Sequence, residues 1–203
     1  MSINSINSKN KLENVLIIGN GGRENSLAWA IQKNELIKRI YLLPGNAGST
    51  KINKSERLDL DLNDIKILIE TIHNLNIDLI VIGPENPLAM GLADTLREEN
   101  FNVFGPGADG AKLESSKSWA NEFMKDANIP TAKFWKVKST GEAKKIIFES
   151  LEPLVVKADG LASGKGVFIP ESREESLNAA EEIFNGKFGE AGQIVVLEEK
   201  IQG

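Results

Sequence analysis

The chain has 203 residues, 41% of them hydrophobic and 26% charged, with a net charge of −5. This is the composition of an ordinary globular protein, long enough for one large domain or two small ones. The acidic balance argues against nucleic-acid binding through bulk basic charge. It leaves room for a phosphorylated small molecule, which a local pocket of lysines and backbone N–H groups can hold. There is no cysteine, which removes disulfides, thiol nucleophiles and thiolate metal ligands.

The first 13 residues, MSINSINSKNKLE, have no apolar core of the kind a signal peptide needs and read as a disordered leader, 1–13. No apolar run is long enough to cross a bilayer, so no membrane association and a cytoplasmic location are expected. Asn14 to Ile18 (NVLII) reads as a buried strand. Gly19 to Arg23 (GNGGR) follows as a tight loop, and Glu24 to Lys33 has helical spacing. Arg39 to Leu43 is a second strand, closed by Pro44, Gly45, Asn46, Ala47 and Gly48. Leu62 to Leu75 is helical, and the lone histidine, His73, sits near its end, where a surface role fits better than a catalytic one. Asp78 to Ile82 is a strand ending in Gly83, Pro84, Glu85, Asn86 and Pro87. Leu88 to Glu99 reads as one helix, and Asn102 to Phe104 as a short strand.

Strands alternating with helices indicate a parallel sheet with helices on both faces, in which ligands sit beyond the C-terminal strand ends. Gly105-Pro106-Gly107 marks a change of rhythm and a boundary between domains 14–104 and 105–203. Beyond it come a helix from about Ser116 to Ala127, a strand at 132–137, a helix at 141–150 and a strand at 153–157. A glycine-rich loop leads to a returning strand at 167–169, a Ser-capped helix at 172–184 and a last strand at 193–198.

Four motifs carry candidate chemistry. Gly19 and Gly21 fit the start of a dinucleotide fingerprint, but Glu24 stands where its third glycine belongs, and the second strand ends Leu42-Leu43-Pro44 without the ribose-binding acid. A phosphate cradle with Arg23 alongside fits better than a nicotinamide site. The loop Lys157-Ala158-Asp159-Gly160-Leu161-Ala162-Ser163-Gly164-Lys165-Gly166 is not a Walker loop, because its spacing and ending differ. Lys157 closes a buried strand, where a lysine is expensive unless it meets an anion, and the glycines let backbone N–H groups approach a phosphate. Ser116 and Lys117 open a helix whose N-terminus favours anions, although a simple Ser cap explains them equally. Glu198 and Glu199 end a strand on opposite faces, so at most one of them meets a ligand.

Taken together, NVLIIGNGGRE (14–24), PGNAG (44–48), GPENPL (83–88), FGPG (104–107), Ser116-Lys117 and VKADGLASGKGV (156–167) resemble, in order and spacing, the phosphoribosylamine–glycine ligases, or glycinamide ribonucleotide synthetases. These belong to the ATP-grasp superfamily. The resemblance runs from about Asn14 to the end. It implies an α/β fold with a Rossmann-like N-terminal (pre-ATP-grasp) domain, then an incomplete ATP-grasp module. It implies ligation of glycine to 5-phosphoribosylamine through glycyl phosphate, with ATP and Mg²⁺ or Mn²⁺. By this resemblance Gly19, Gly21, Gly22, Arg23, Glu24, Pro44, Gly45, Asn46, Ala47, Gly48, Gly83, Pro84 and Glu85 line the substrate pocket. Lys117 and Lys157 hold ATP phosphates, and Gly160, Ser163, Gly164, Lys165 and Gly166 form the closing loop. Glu198 is the acid near adenine, and Lys200 and Ile201 offer backbone groups to the base. The implied protein is a monomer acting on small molecules, without nucleic-acid or membrane partners.

Two departures stand out. Asn25 occupies a position where the family usually has His, losing any protonation role there. The family's chain is roughly twice as long, and its metal ligands would lie beyond Gly203. The sequence is therefore expected to be an inactive fragment with no catalytic or metal residue of its own, its last strand left at a broken sheet edge. A nucleotide-binding module without catalysis, or another ATP-grasp ligase, is the alternative.

Overall fold

In a computed structural model, residues 12–201 are described, so the expected leader lies outside the described residues except for its last two positions. Internal contacts divide the chain into two compact units, meeting between Ala108 and Asp109.

The first unit is built on a parallel sheet. Its strands are β1 (Asn14–Gly19), β2 (Arg39–Pro44), β3 (Ser55–Arg57), β4 (Leu79–Ile82) and β5 (Val103–Phe104), in the order β3-β2-β1-β4-β5. The central strand β1 pairs with β2 on one side and β4 on the other. Five successive residues of β1 are buried, as a parallel strand covered on both faces requires. Val15 and Ile17 pack with Ala28 of helix α1 (Gly22–Ile31), together with Ile40 and Leu42 of β2. Leu16 and Ile18 point to the other face by strand alternation and are equally buried. Helix α2 (Ile65–Asn74) starts at Asp64, whose carboxylate accepts the Ile67 N–H at 3.1 Å. His73, near its end, lies against the Phe101 ring, with centroids 4.9 Å apart.

The structure corrects two expectations in this unit. The single helix expected from Leu88 to Glu99 is two: α3 (Glu85–Ala89) and α4 (Leu92–Glu98). Gly91, at φ +83°, breaks them apart, a left-handed conformation that glycine takes without a Cβ clash. Leu88, Leu92 and Leu96 are buried on either side of the break, so the apolar spacing runs through it unmarked. Strand β3 and the 3-10 turn before it, Ser49–Lys51, were not expected. Ser-Glu-Arg carries no apolar signal because β3 is an exposed edge that pairs only through its backbone.

The second unit opens with α5 (Ala108–Ser115), also unexpected, and α6 (Lys117–Asp126). Its sheet has β6 (Phe134–Val137), β7 (Leu154–Ala158), β8 (Val167–Phe168) and β9 (Val195–Glu199) in the order β6-β9-β7-β8, all antiparallel. Helices α7 (Thr140–Glu149) and α8 (Arg173–Glu182) supply Ala143, Ile147, Ala179 and Ala180 to a core with Leu154, Val156, Ala158, Val195 and Leu197. The last strand is therefore not at a broken edge, as expected. β9 lies between β6 and β7, and Val195, Val196 and Leu197 are fully buried. Its apolar run is what an inner strand requires, and the edges fall to β6 and the two-residue β8.

Candidate functional site

In the first unit, three loops leave the C-terminal ends of β1, β2 and β4, beside the point where the chain switches direction across the sheet. Such a crevice is where open α/β sheets bind ligands. The loops are tied to one another. The Gly45 N–H donates to the Gly19 carbonyl at 3.1 Å. Asn46 Nδ2 donates to the Asn20 carbonyl at 2.9 Å, while its Oδ1 accepts the Gly48 N–H at 2.8 Å. Asn25 joins the same cluster through Ser49 Oγ, 3.3 Å from its Oδ1. At this position, where the resembling family usually has His, a neutral hydrogen-bonding side chain holds the two loops together.

Arg23 reaches across to the third loop, donating to Glu85 at 2.9 Å and to the Gly83 carbonyl at 3.2 Å. The hydrogen bond from Arg23 holds the Glu85 carboxyl below the usual carboxylate range. Glu24 turns inward. It is 3% exposed, and its Oε2 accepts the Gly21 N–H at 2.7 Å. Gly19, Gly21 and Gly83 all face this one side chain: a Cβ at these positions would come within 2.5, 2.7 and 2.1 Å of its atoms. These glycines are thus required by the packing of Glu24, a reason that spacing alone does not reveal. Gly22 is open, with nothing within 4 Å of a built Cβ. A shallow, largely apolar groove of about 560 Å³ runs beside Arg23 and Gly83, with Leu27 and Phe104 in its lining. Pro44, Ala47 and Pro84 lie in the same three loops.

In the second unit the polar cluster lies on the face of β7 and β9 opposite the apolar core. Lys157 and Glu198 occupy diagonal positions on the paired strands, and their side chains form an ion pair. The other carboxylate oxygen of Glu198 accepts Asn121 Nδ2 at 2.9 Å. Glu199 points away and pairs with Lys133 at 3.7 Å, as strand alternation requires.

Lys117 opens α6 beside this pair. Its Nζ donates to the carbonyls of Gly160 at 3.1 Å and Asp159 at 3.4 Å. Burial pulls the Lys117 pKa below the ordinary lysine value, against the opposing pull of Asp159 and Glu114. The N-terminus of α6 is capped twice. Ser116 Oγ accepts the Trp119 N–H at 3.2 Å and donates to Asp159 at 3.0 Å, and Asp159 also accepts the Ser118 N–H at 2.5 Å. The position read as attractive to an external anion is thus filled by the chain's own carboxylate. Ser116→Ala should destabilise the chain by about 1–2 kcal/mol in urea unfolding, since it removes a cap and a bond to a charged group. An unchanged midpoint would mean that Asp159 caps the helix alone.

The glycine loop divides. Gly160 packs so closely on Ala191 that a Cβ would sit 2.9 Å from its Cα, and a Cβ at Gly166 would sit 2.6 Å from that of Ala162. Ser163, Gly164 and Lys165 form an exposed turn, with Ser163 at φ +50° and Gly164 at +74°. Lys117, Lys157, Gly160 and Glu198 are therefore brought together, while Ser163, Gly164 and Lys165 project outward. Lys200 and Ile201 are exposed just past β9. Asp159 and Asn121 carry the local geometry although sequence reading assigned them no role. Asp159 stood inside a recognised loop, and Asn121 offered no signal among helical residues. Among the described residues, no three His, Cys, Asp or Glu side chains cluster as a metal site would require, and no helix is long and apolar enough to cross a membrane.

A parallel sheet followed by a small antiparallel unit bearing two lysines and a glycine loop is the arrangement of ATP-grasp ligases. Solved structures agree. The N5-carboxyaminoimidazole synthetase of Staphylococcus aureus, solved with ADP, superimposes with a TM-score of 0.68 at 24% identity, over 95% of this chain and 49% of that one. The phosphoribosylamine–glycine ligase of Thermotoga maritima does so at 0.76 and 31% identity, over 94% of this chain and 44% of that one. The same enzyme from Nostoc sp. is 42% identical over 189 residues, 93% of this chain and 44% of the relative. Family models for the N domain and the ATP-grasp (A) domain of phosphoribosylglycinamide synthetase match residues 13–114 and 115–203. The chain belongs to the phosphoribosylglycinamide synthetase family. It spans about 44% of the length of these ligase relatives.

Proposed function

We propose that this chain supplies the substrate-side domain and the opening part of the ATP site of a ligase that joins glycine to 5-phosphoribosylamine. The products would be glycinamide ribonucleotide, ADP and phosphate, formed by way of glycyl phosphate. The observation that carries this reading is Lys117. It is a half-buried ammonium group whose acceptors are two backbone carbonyls, and it forms no ion pair among the described residues. A partly buried ammonium that meets carbonyl oxygens rather than a carboxylate in direct contact fits an incoming phosphate, although Asp159, Glu114 and Glu198 lie near enough to favour its charge. Lys157, on the neighbouring strand face, would supply the second charge, and Mg²⁺ or Mn²⁺, when bound, would neutralise the phosphates further.

In this reading the residues position and neutralise rather than exchange protons. Gly160 and Gly166 keep the loop backbone close, and the turn of Ser163, Gly164 and Lys165 is free to fold over the phosphates. Glu198, Lys200 and Ile201 would meet the adenine. The loops at Gly19–Glu24, Pro44–Gly48 and Gly83–Glu85 would hold 5-phosphoribosylamine, with the open backbone at Gly22 and the guanidinium of Arg23 toward its phosphate. In this reading the protein works in the cytoplasm as a monomer on small molecules.

The test is ADP release from ATP and Mg²⁺, with phosphoribosylamine generated in place. Release that needs both glycine and phosphoribosylamine supports the proposal. Release triggered by a different carboxylate or amine points to another ATP-grasp ligase. Nucleotide binding without release under any combination favours a binding module.

A further inference from the structure

Asn121 is 5% exposed, and its amide is committed at both ends. Nδ2 donates to Glu198 Oε1 at 2.9 Å, and Oδ1 accepts from Thr131 Oγ1 at 3.1 Å. Glu198 then has its other oxygen, Oε2, for Lys157. The chain Thr131–Asn121–Glu198–Lys157 thus runs from the loop before β6, through α6, to the two central strands. Each bond removes a freedom from the next group. A carboxylate offers only acceptors, so Asn121 must turn its NH₂ toward Glu198, and Thr131 meets the oxygen that this leaves. Without Asn121, Glu198 could rotate about its side-chain torsions, and Lys157, with its flexible four-carbon stem, would follow it or drift.

We propose that Asn121, oriented by Thr131, is a positioning residue: it fixes the Glu198 carboxylate and thereby holds Lys157 in place to meet nucleotide phosphates. This rests on the nucleotide reading above only for its last step. The geometry assigns Asn121 no contact with a ligand. It acts through Glu198, so its influence must disappear when Glu198 can no longer hold Lys157.

The experiment uses the 203-residue chain and follows Lys157 directly, through its rate of labelling by an amine-reactive reagent, read by peptide mass spectrometry. Exposed Lys165 serves as the internal standard. Asn121→Leu keeps the volume and removes both hydrogen bonds, and should raise Lys157 labelling about tenfold, as loss of a charge-assisted bond implies. Thr131→Val should raise it more modestly, while Thr131→Ser, which keeps the hydroxyl, should match the parent. A packing role would order these two variants the other way round. Thr131 lies on the surface, so this pair reports even if Asn121→Leu fails to fold. In a Glu198→Gln background, Asn121→Leu should have no further effect.

Unchanged Lys157 labelling in Asn121→Leu, or an effect that persists in full in the Glu198→Gln background, overturns the inference. MgATP affinity, measured by calorimetry, should fall with the labelling change. If labelling responds as expected but the parent binds no nucleotide, the positioning chain stands and the nucleotide reading falls.

Discussion

Replacing Lys157 by alanine weakens MgATP binding by the 203-residue chain at least tenfold, whereas Lys165→Ala leaves it within about threefold, by the worth of one well-placed charge-assisted hydrogen bond against an exposed one. The difference comes from where each ammonium group starts. Lys157 is held on a sheet by Glu198, with its side chain 24% exposed and that of Glu198 12% exposed. Little conformational freedom remains to be lost when a phosphate arrives. Lys165 lies in an exposed turn and must be ordered on binding. Lys157→Ala also leaves the largely buried Glu198 carboxylate beside Asn121 without its cation. Removing one partner of such a pair is destabilising, so the variant should also unfold at a lower urea concentration. Calorimetric titration of the three proteins decides the matter, with the urea midpoint of each variant measured alongside to separate loss of fold from loss of affinity. Equal affinities for parent, Lys157→Ala and Lys165→Ala would place the phosphate site elsewhere.

The features legible in the sequence were those written in periodicity and punctuation. Apolar runs ending in glycine gave β1, β2 and β4, because inner parallel strands must be apolar throughout. The sequence marks Lys157 as the end of an apolar strand, but only the structure shows that it lies on the face away from the core, opposite Leu154, Val156 and Ala158. Elements stabilised by backbone pairing alone were not legible. Strand β3 shows a polar, exposed edge, and the break at Gly91 interrupts an apolar spacing that continues across it. The position of β9 has no local signature, because nearness to the chain end is not nearness to the sheet edge. In this sheet the last strand inserts between earlier ones.

The candidate site divides along the same line. Motifs located its loops, but pairings within it are long-range and have no local signature. Asn121 meets Glu198 across 77 positions, and Ser116 meets Asp159 across 43. Glu24 is the sharpest case. Sequence reading grouped it with the substrate-lining residues, while the structure places it as the buried side chain around which three glycines are packed. Whether a ligand also reaches it depends on an atom that is now enclosed. Its Oε1 is buried without a hydrogen-bond partner and lies 3.6 Å from Arg23 Nε.

That arrangement makes Gly83→Ala the variant with the largest expected effect on stability. The new Cβ would stand 2.1 Å from Glu24 Oε1, far inside contact distance. A flexible side chain usually yields to such a clash, but Glu24 is confined by Gly19 on one side and Gly21 on the other, with atoms 2.5 and 2.7 Å from where their Cβ would be. Moving the carboxyl away from position 83 drives it toward another backbone or breaks its bond to the Gly21 N–H. Overpacking of this kind costs about 3 kcal/mol. Gly22→Ala, one residue into the same loop with open space around it, should be neutral or stabilising by about 0.5 kcal/mol, since alanine is the better helix former. The cause is tested by a double-mutant cycle. Glu24→Ala removes the obstacle, so Gly83→Ala added to it should cost little further, giving a coupling of about 2 kcal/mol between the two sites. Additive losses in urea unfolding would mean that Gly83 is required for its own backbone conformation and that Glu24 is a bystander. A strong coupling would fix Glu24 as the pillar of the three loops.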